Sequence, residues 1–433
     1  MAMSGAATEQ LLTGGRPAAW EGKILPLREQ ARVTKGWLID RLETILPELM
    51  ARAGLDMWLV NVREYNEGPL VMTLLPSPML TARRRTILVF ARRADGSVER
   101  LILARPGLDV YDVYQDEWRR GEESQWEALA RVVGERDPQR IGINCSEIHQ
   151  FADDLTYTEH GQLMAALGPR YAARTETAER LAVGWLERRS ELELQAYPGV
   201  LQIALGIVRD GLSGRIIHPG VTTCDDAAWW IRQRTRDLGL DCWFMPYVKL
   251  QRRGVAGMLG GDTVIRQGDA LHCDYGLTYL GLATDSKQHA YCLLPDETDA
   301  PAGLSAALAA GQRVQELIAG AMAVGRTGNE VLRMALAGAA AEGIDAKVYA
   351  HPVGYHGHAA GTYIGLADMQ SGVPGTGDYP LHDRTCYSFE LSVRCRVPEW
   401  DGQEVAIPVE TDIAFIDGRV QFMPGRQAGF HLV

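Results

Sequence analysis

Asp274 and Asp285 lie eleven positions apart in CDYGLTYLGLATD, a stretch whose other residues read as buried strand. An unpaired carboxylate in such a place is costly, so two of them need a reason. The glycine-bearing turn GLTYLG between them lets the chain double back. If the flanking strands pair, both carboxylates face one point. The ordinary alternative is that each aspartate only caps a turn. Further on, HPVGYHGHAAG (351–361) gathers three of the chain's ten histidines beside glycines. Imidazole is both a metal ligand and the acid/base group that titrates nearest neutrality. Glu390 in CYSFELSV and Glu410 in AIPVETDIAFI are acids among apolar strand residues. Either alone fits a solvated strand face. Two divalent ions and one imidazole would balance all four acids in a dry pocket. A carboxylate-rich set suits Mn²⁺ first, with Co²⁺, Zn²⁺ or Fe²⁺ as alternatives. Two such ions about 3.5–4 Å apart activate water and polarise a carbonyl.

The elements that must position these residues follow from pattern. Residues 1–28 are rich in Gly, Ala and Thr and read as a loose arm. Helical spacing of Val33, Trp37, Leu38, Leu42, Ile45 and Leu49 predicts a helix over 31–52, with Pro47 opening a second short one. Strands are expected at 55–61, 85–90, 99–104 and 140–145, alternating with helix and parallel in look. That makes residues 29–188 a small α/β domain. Residues 189–433 form a second domain. Ser190 with Glu193, Thr223 with Asp226 and Thr327 with Glu330 have capping-box spacing, so each opens a helix. Strands are expected at 247–251, 270–275 and 288–293. The order helix, helix, strands occurs twice, which predicts a domain of two similar halves and an α+β chain.

Bulk properties exclude several functions. The formal charge of −11, from 55 acidic and 44 basic side chains, argues against a surface that tracks nucleic-acid phosphates. Seven scattered cysteines with no C-x-x-C pair read as reduced thiols. No stretch is apolar for long enough to span a bilayer, and the amino terminus lacks a signal-peptide pattern. The expectation is a cytoplasmic protein.

The residues from 188 onward resemble the pita-bread metallopeptidase family, which includes methionine aminopeptidase, Xaa-Pro aminopeptidase, prolidase and creatinase. The first domain is similar to the creatinase-type amino-terminal domain. The order Asp, Asp, His, Glu, Glu carries the family's two metals. The resemblance implies Asp274, Asp285, His358, Glu390 and Glu410 as ligands, with Asp285 and Glu410 bridging and Glu390 also moving a proton. His358 is preferred over His356 because HAAG repeats the family's His-x-x-Gly pattern. His351 and His356 then become catalytic helpers, while Tyr355, Tyr363 and His272 line the substrate side. The resemblance further implies two divalent ions, a homodimer and a short peptide as substrate. Departures stand beside it. Proline-specific relatives carry a histidine seven positions beyond the metal histidine, where counting from His358 meets Gly365, and an arginine where this chain has Pro408. A creatinase-like C–N hydrolase or lyase on a small molecule, or a non-catalytic binding protein, are the competing readings.

Overall fold

Residues 20–77, 79–105 and 110–433 are described by the computed structural model, so most of the expected N-terminal arm lies outside the described residues. The first long helix, Leu27–Thr44, stops before a second one, Leu46–Ala53, that carries Pro47 in its first turn. A proline costs little there, because that N–H has no partner in a helix anyway. Six strands follow: β1 (Met57–Arg63), β2 (Arg85–Arg92), β3 (Val98–Leu103), β4 (Gln115–Asp116), β5 (Ile141–Ile143) and β6 (Thr175–Thr177). They form one sheet in the order β4-β3-β2-β1-β5-β6. Its pairs β3/β4, β1/β5 and β5/β6 are parallel, whereas β1/β2 and β2/β3 are antiparallel. The sheet is therefore mixed, where the sequence had looked parallel throughout. Helix Tyr157–Ala172 crosses between β5 and β6, but no helix links β2 to β3, and a short link reverses the chain. Alternate residues of β1 enter different cores. Met57 and Leu59 pack with Val132 and Leu163, and Trp58 and Val60 with Leu46 and Trp185. Both faces are covered, which is why the first four residues of β1, 57–60, read as an unbroken apolar run.

The second part of the chain opens on helix Glu191–Gly211, capped by Ser190 and Glu193 as expected, and Cys224–Asp237, capped by Thr223 and Asp226. Then come β7 (Asp241–Cys242), β8 (Tyr247–Gln251), β9 (Ala270–Tyr275), β10 (Leu277–Tyr279), β11 (Leu282–Ala283) and β12 (Ser286–Tyr291). A second helix pair, Ala302–Ala321 and Gly328–Ala341, repeats the order, with the Thr327 and Glu330 box in place. It leads to β13 (Asp345–Val348), β14 (His351–Pro352), β15 (Thr385–Ser388), β16 (Leu391–Val397), β17 (Gln403–Val409), β18 (Asp412–Ile416), β19 (Arg419–Phe422) and β20 (His431–Leu432). The sheets run β20-β12-β9-β8, β13-β16-β17, β14-β15-β18-β19 and β11-β10-β7. Each helix pair covers its own core, Leu201 and Ile231 over Leu271 in one, Val314 and Val331 over Phe389 in the other. The class is α+β, and no helix among the described residues is long and apolar enough to cross a membrane.

Candidate metal centre

The turn between the two aspartates decides the site. Leu280 and Gly281 both take positive φ, 54° and 76°, as a tight hairpin requires. Doubling back this way sets β9 and β12 side by side, antiparallel, with Tyr275 opposite Ser286 and Asp274 opposite Lys287. Asp285 comes immediately before β12. Side chains two apart share a face of a strand, so Asp285 and Lys287 point the same way, toward Asp274. On its other edge Lys287 bridges to Glu410, the residue after β17. His351 on β14 pairs with Ser388 on β15, and Ser388 Oγ donates to Glu410 Oε1 at 2.8 Å. Glu390 sits in the break between β15 and β16. Asp412, at the start of β18, accepts the Asp285 backbone N–H at 3.0 Å and so fixes where that carboxylate starts. Three sheets thus deliver four acids and an imidazole to one point.

Ligand-capable atoms cluster there in three groups, each within 4.8 Å: Asp274 with Asp285 and Glu410, His351 with Glu390 and Glu410, and Asp285 with His351 and His358. His351 Nε2 lies 3.5 Å from Asp285 Oδ2, 3.7 Å from Glu410 Oε1 and 4.0 Å from Glu390 Oε2. It makes no hydrogen bond, and neither does Asp285 Oδ1, although both are buried. Its other ring nitrogen, Nδ1, is 3.0 Å from the Pro352 carbonyl oxygen. A proton on Nδ1 satisfies that carbonyl and leaves the Nε2 lone pair facing the carboxylates. Donors about 2.1 Å from a shared tetrahedral ion stand roughly 3.4 Å apart, so this spacing fits an ion between them.

Lys287 is the second charged feature of the cage. Its Nζ is 2.8 Å from Asp274 Oδ2, 2.8 Å from Glu410 Oε2 and in close contact with Glu390 Oε1. Burial opposes its charge, but Glu410, Asp274 and Glu390 outweigh that and hold the ammonium well above its ordinary pKa. Burial, with the Glu410 charge beside it, pushes Glu390 up to about 7. Glu410 is buried too, yet the Lys287 ammonium holds it below the usual carboxylate range. Asp285 and Asp412 are driven well above theirs by burial.

The remaining expected site residues are more scattered. His358 is exposed, its ring 4.6 Å from that of His351 and 5.1 Å from that of Trp243. The structure groups His351, and not His358, with Glu390 and Glu410. His356 stacks on Phe151 of the first part of the chain at 4.7 Å. The Tyr355 hydroxyl turns away and donates to Glu193 Oε1 at 2.8 Å. Tyr363 stays near the cage, with its ring 6.4 Å from that of His351. His272 shares the strand face of Asp274 but lies deeper, opposite His289, and burial pushes its pKa well below the ordinary value.

Residues 200–415 match the family model of metallopeptidase family M24, and all five expected ligands fall inside that span. This chain carries an M24 metallopeptidase domain. Among solved structures, an X-Pro aminopeptidase from Thermotoga maritima superposes with a TM-score of 0.64 at 14% identity, covering 89% of this chain and 100% of its own. The dipeptidase PepE from Mycobacterium ulcerans gives 0.60 at 17%, covering 92% and 98%. An Xaa-Pro dipeptidase from Bacillus anthracis gives 0.59 at 15%, covering 92% and 100%. No curated protein matches this chain. At these identities the likeness establishes the fold, the two-part architecture included.

Three residues of the M24 domain's centre escaped the reading of the sequence: Lys287, Asp412 and Trp243. For Lys287 a signal was present, since it stands two positions after Asp285 in a strand, which puts it on the same face. Asp412 had the same relation to Glu410. Trp243 had none, because its role depends on a close fit. A Cβ on Gly357 would lie 2.1 Å from its indole, so only glycine allows the histidine loop to pass over that ring.

Proposed function

We propose that this chain is a metal-dependent hydrolase that cleaves an amide C–N bond in short peptides, with Xaa-Pro peptides as its first substrate class. The observation that carries the reading is a buried cage with two donors, Asp285 Oδ1 and His351 Nε2, that have no partner. Buried polar atoms are rarely left unpaired, so the cage is built to take something that accepts lone pairs. Asp285, His351, Glu390 and Glu410 would hold a divalent ion, and we propose Mn²⁺. When bound, such an ion polarises a carbonyl and makes water acidic enough to ionise near neutrality.

The chain's own residues do the rest. Glu390 has a partly exposed side chain, unlike Glu410, so it can pass a proton between the cage and a substrate nitrogen. His351 is oriented by the Pro352 carbonyl, and Asp285 by Asp412. His358, exposed beside His351, takes the substrate side. This assigns His351 as the imidazole ligand. It also restores the family spacing, because His351 begins its own His-x-x-Gly, HPVG, and the residue seven positions beyond it is His358. A second reading, hydrolysis of a C–N bond in a small molecule, is favoured by Lys287, whose positive charge stands among the acids that would otherwise attract a peptide's amino end. Seven free thiols support a cytoplasmic location, and the expected homodimer is part of the same proposal, to be read from the protein's mass in solution.

The test is turnover by Mn²⁺-loaded protein of Ala-Pro, Ala-Pro-Ala and Ala-Ala-Ala, with Asp285→Asn as the inactive control. Cleavage before proline is the expected result, and Glu390→Gln should slow it by about 10²–10⁴-fold. Turnover of small amides with none of the peptides would replace the first reading by the second.

A further inference from the structure

The resemblance implies two ions, but the cage does not fit two. We propose that it holds a single divalent ion and that the Lys287 ammonium permanently takes the place and charge of the second. This rests on the metal-dependent reading above and sharpens it.

The lysine is put there by the fold and not by chance of side-chain rotation. Its Cα is paired with Asp274 on one neighbouring strand and bridged to Glu410 on the other side. Directly opposed residues have Cβ atoms about 4.5–5.5 Å apart on the same face, so the stem of Lys287 rises between two acids whatever the rest of the cage contains. The side chain is 3% exposed, and it cannot leave for solvent without its strand leaving the sheet. Shifting the strand by one residue would turn Asp285 away as well.

The two halves of the cage also differ in what they lack. Around Asp274, Glu410 and Glu390, three oxygens already take the three donors of one ammonium. Around Asp285 and His351, an oxygen and a nitrogen are orphaned. One position is filled by the chain itself and one is waiting. Repulsion points the same way: with the ammonium among four carboxylates the sum is −1 with one divalent ion and +1 with two, so the totals do not decide, but a second ion would put three cations within a few ångströms of one another.

The experiment is a count of Mn²⁺ per chain by elemental analysis after loading and desalting, read beside the Mn²⁺ electron paramagnetic resonance spectrum. The wild type should hold one ion per chain and give the six-line signal of an isolated ion. Lys287→Ala, which removes the ammonium and opens its space, should rise to two ions with a spin-coupled spectrum. Two ions in the wild type would overturn this inference and leave the metal-dependent reading standing. No ion in the wild type would overturn both. One ion in the wild type and still one in a folded Lys287→Ala would show that the lysine does not occupy a second position, and would likewise overturn the inference. Should Lys287→Ala not fold, Lys287→Thr makes the same test with a residue suited to a strand.

Discussion

His351 and His358 divide the imidazole chemistry between them, and a pair of single substitutions separates their parts. His351 Nε2 is buried among three carboxylates with no hydrogen bond, and His358 is exposed beside it. His351→Ala should weaken Mn²⁺ binding by more than about 100-fold, since losing a partner one layer further out already costs about 10–100-fold. His358→Ala should keep the ion and lower kcat by about 10²–10⁴-fold. Calorimetric Mn²⁺ titration of both variants checks this, and the reverse pattern would return the ligand role to His358. The acids of this site were readable because each breaks an apolar strand, and Asp274, Asp285 and Glu410 do converge. The histidine was not readable in the same way. Two His-x-x-Gly stretches, at 351–354 and 358–361, fit one pattern, and only the pairing of β14 with β15 brings the first beside Glu390.

At the scale of elements, the helix Glu179–Glu187 ends on an acid that its surroundings keep neutral. Burial pushes Glu187 up to about 8, against the opposing pull of Arg52 and a 3.3 Å hydrogen bond from the Tyr379 hydroxyl. His382, 3.9 Å away, is itself pushed down to about 4 by burial, with Arg52 and Arg188 adding to the effect. At pH 6 the two are thus a protonated acid beside a neutral imidazole. A folded pKa raised above the unfolded value means that the native state holds the proton more tightly. The resulting stability is full below about pH 4.5 and is lost as pH rises through about 8. Within that window this one group contributes a slope of about 1.4 kcal/mol per pH unit. His382, held low, contributes a slope of opposite sign between about pH 4 and 6.5, so Glu187 stands alone only above that, and Glu187→Gln should make the urea midpoint fall less between pH 6.5 and 8; an unchanged pH profile would reject the assignment. Element boundaries set by local chemistry were legible, the three capping boxes above all, because a serine or threonine and an acid three residues on satisfy each other within a single turn. Strand direction in the first sheet was not legible, since pairing of β1 with β2 joins residues some thirty positions apart and depends on what packs over them.

Across the whole molecule, one buried acid ties the first part of the chain to the histidine loop. Glu193 Oε2 accepts from Arg41 at 2.7 Å, on the first long helix, and from the Ser190 backbone N–H at 2.7 Å, closing the capping box. Its Oε1 lies 3.3 Å from Arg189 and accepts from Tyr355 at 2.8 Å, within the stretch that also carries His351 and His358. The side chains of Glu193, Arg41 and Arg189 are all fully buried. The Tyr355 ring lies under both guanidiniums, 4.1 Å from Arg189 and 5.0 Å from Arg41. Two cations in so dry a place are tolerable only while the carboxylate is there. Glu193→Gln keeps the shape and removes the charge, leaving both guanidiniums uncompensated, and should cost about 3–5 kcal/mol. Because the amide also holds Tyr355 less firmly, the loss should extend to the loop over the metal centre. The thermal midpoint should fall together with activity, while Mn²⁺ still binds one-to-one to the fraction that remains folded. Glu193→Gln with an unchanged midpoint would mean that Arg41 and Arg189 are satisfied by the Trp185, Leu186 and Arg188 carbonyls they already reach, and that the first part of the chain is held to the M24 domain by its other links, such as the Glu21–Arg234 ion pair and the Tyr379–Glu187 hydrogen bond.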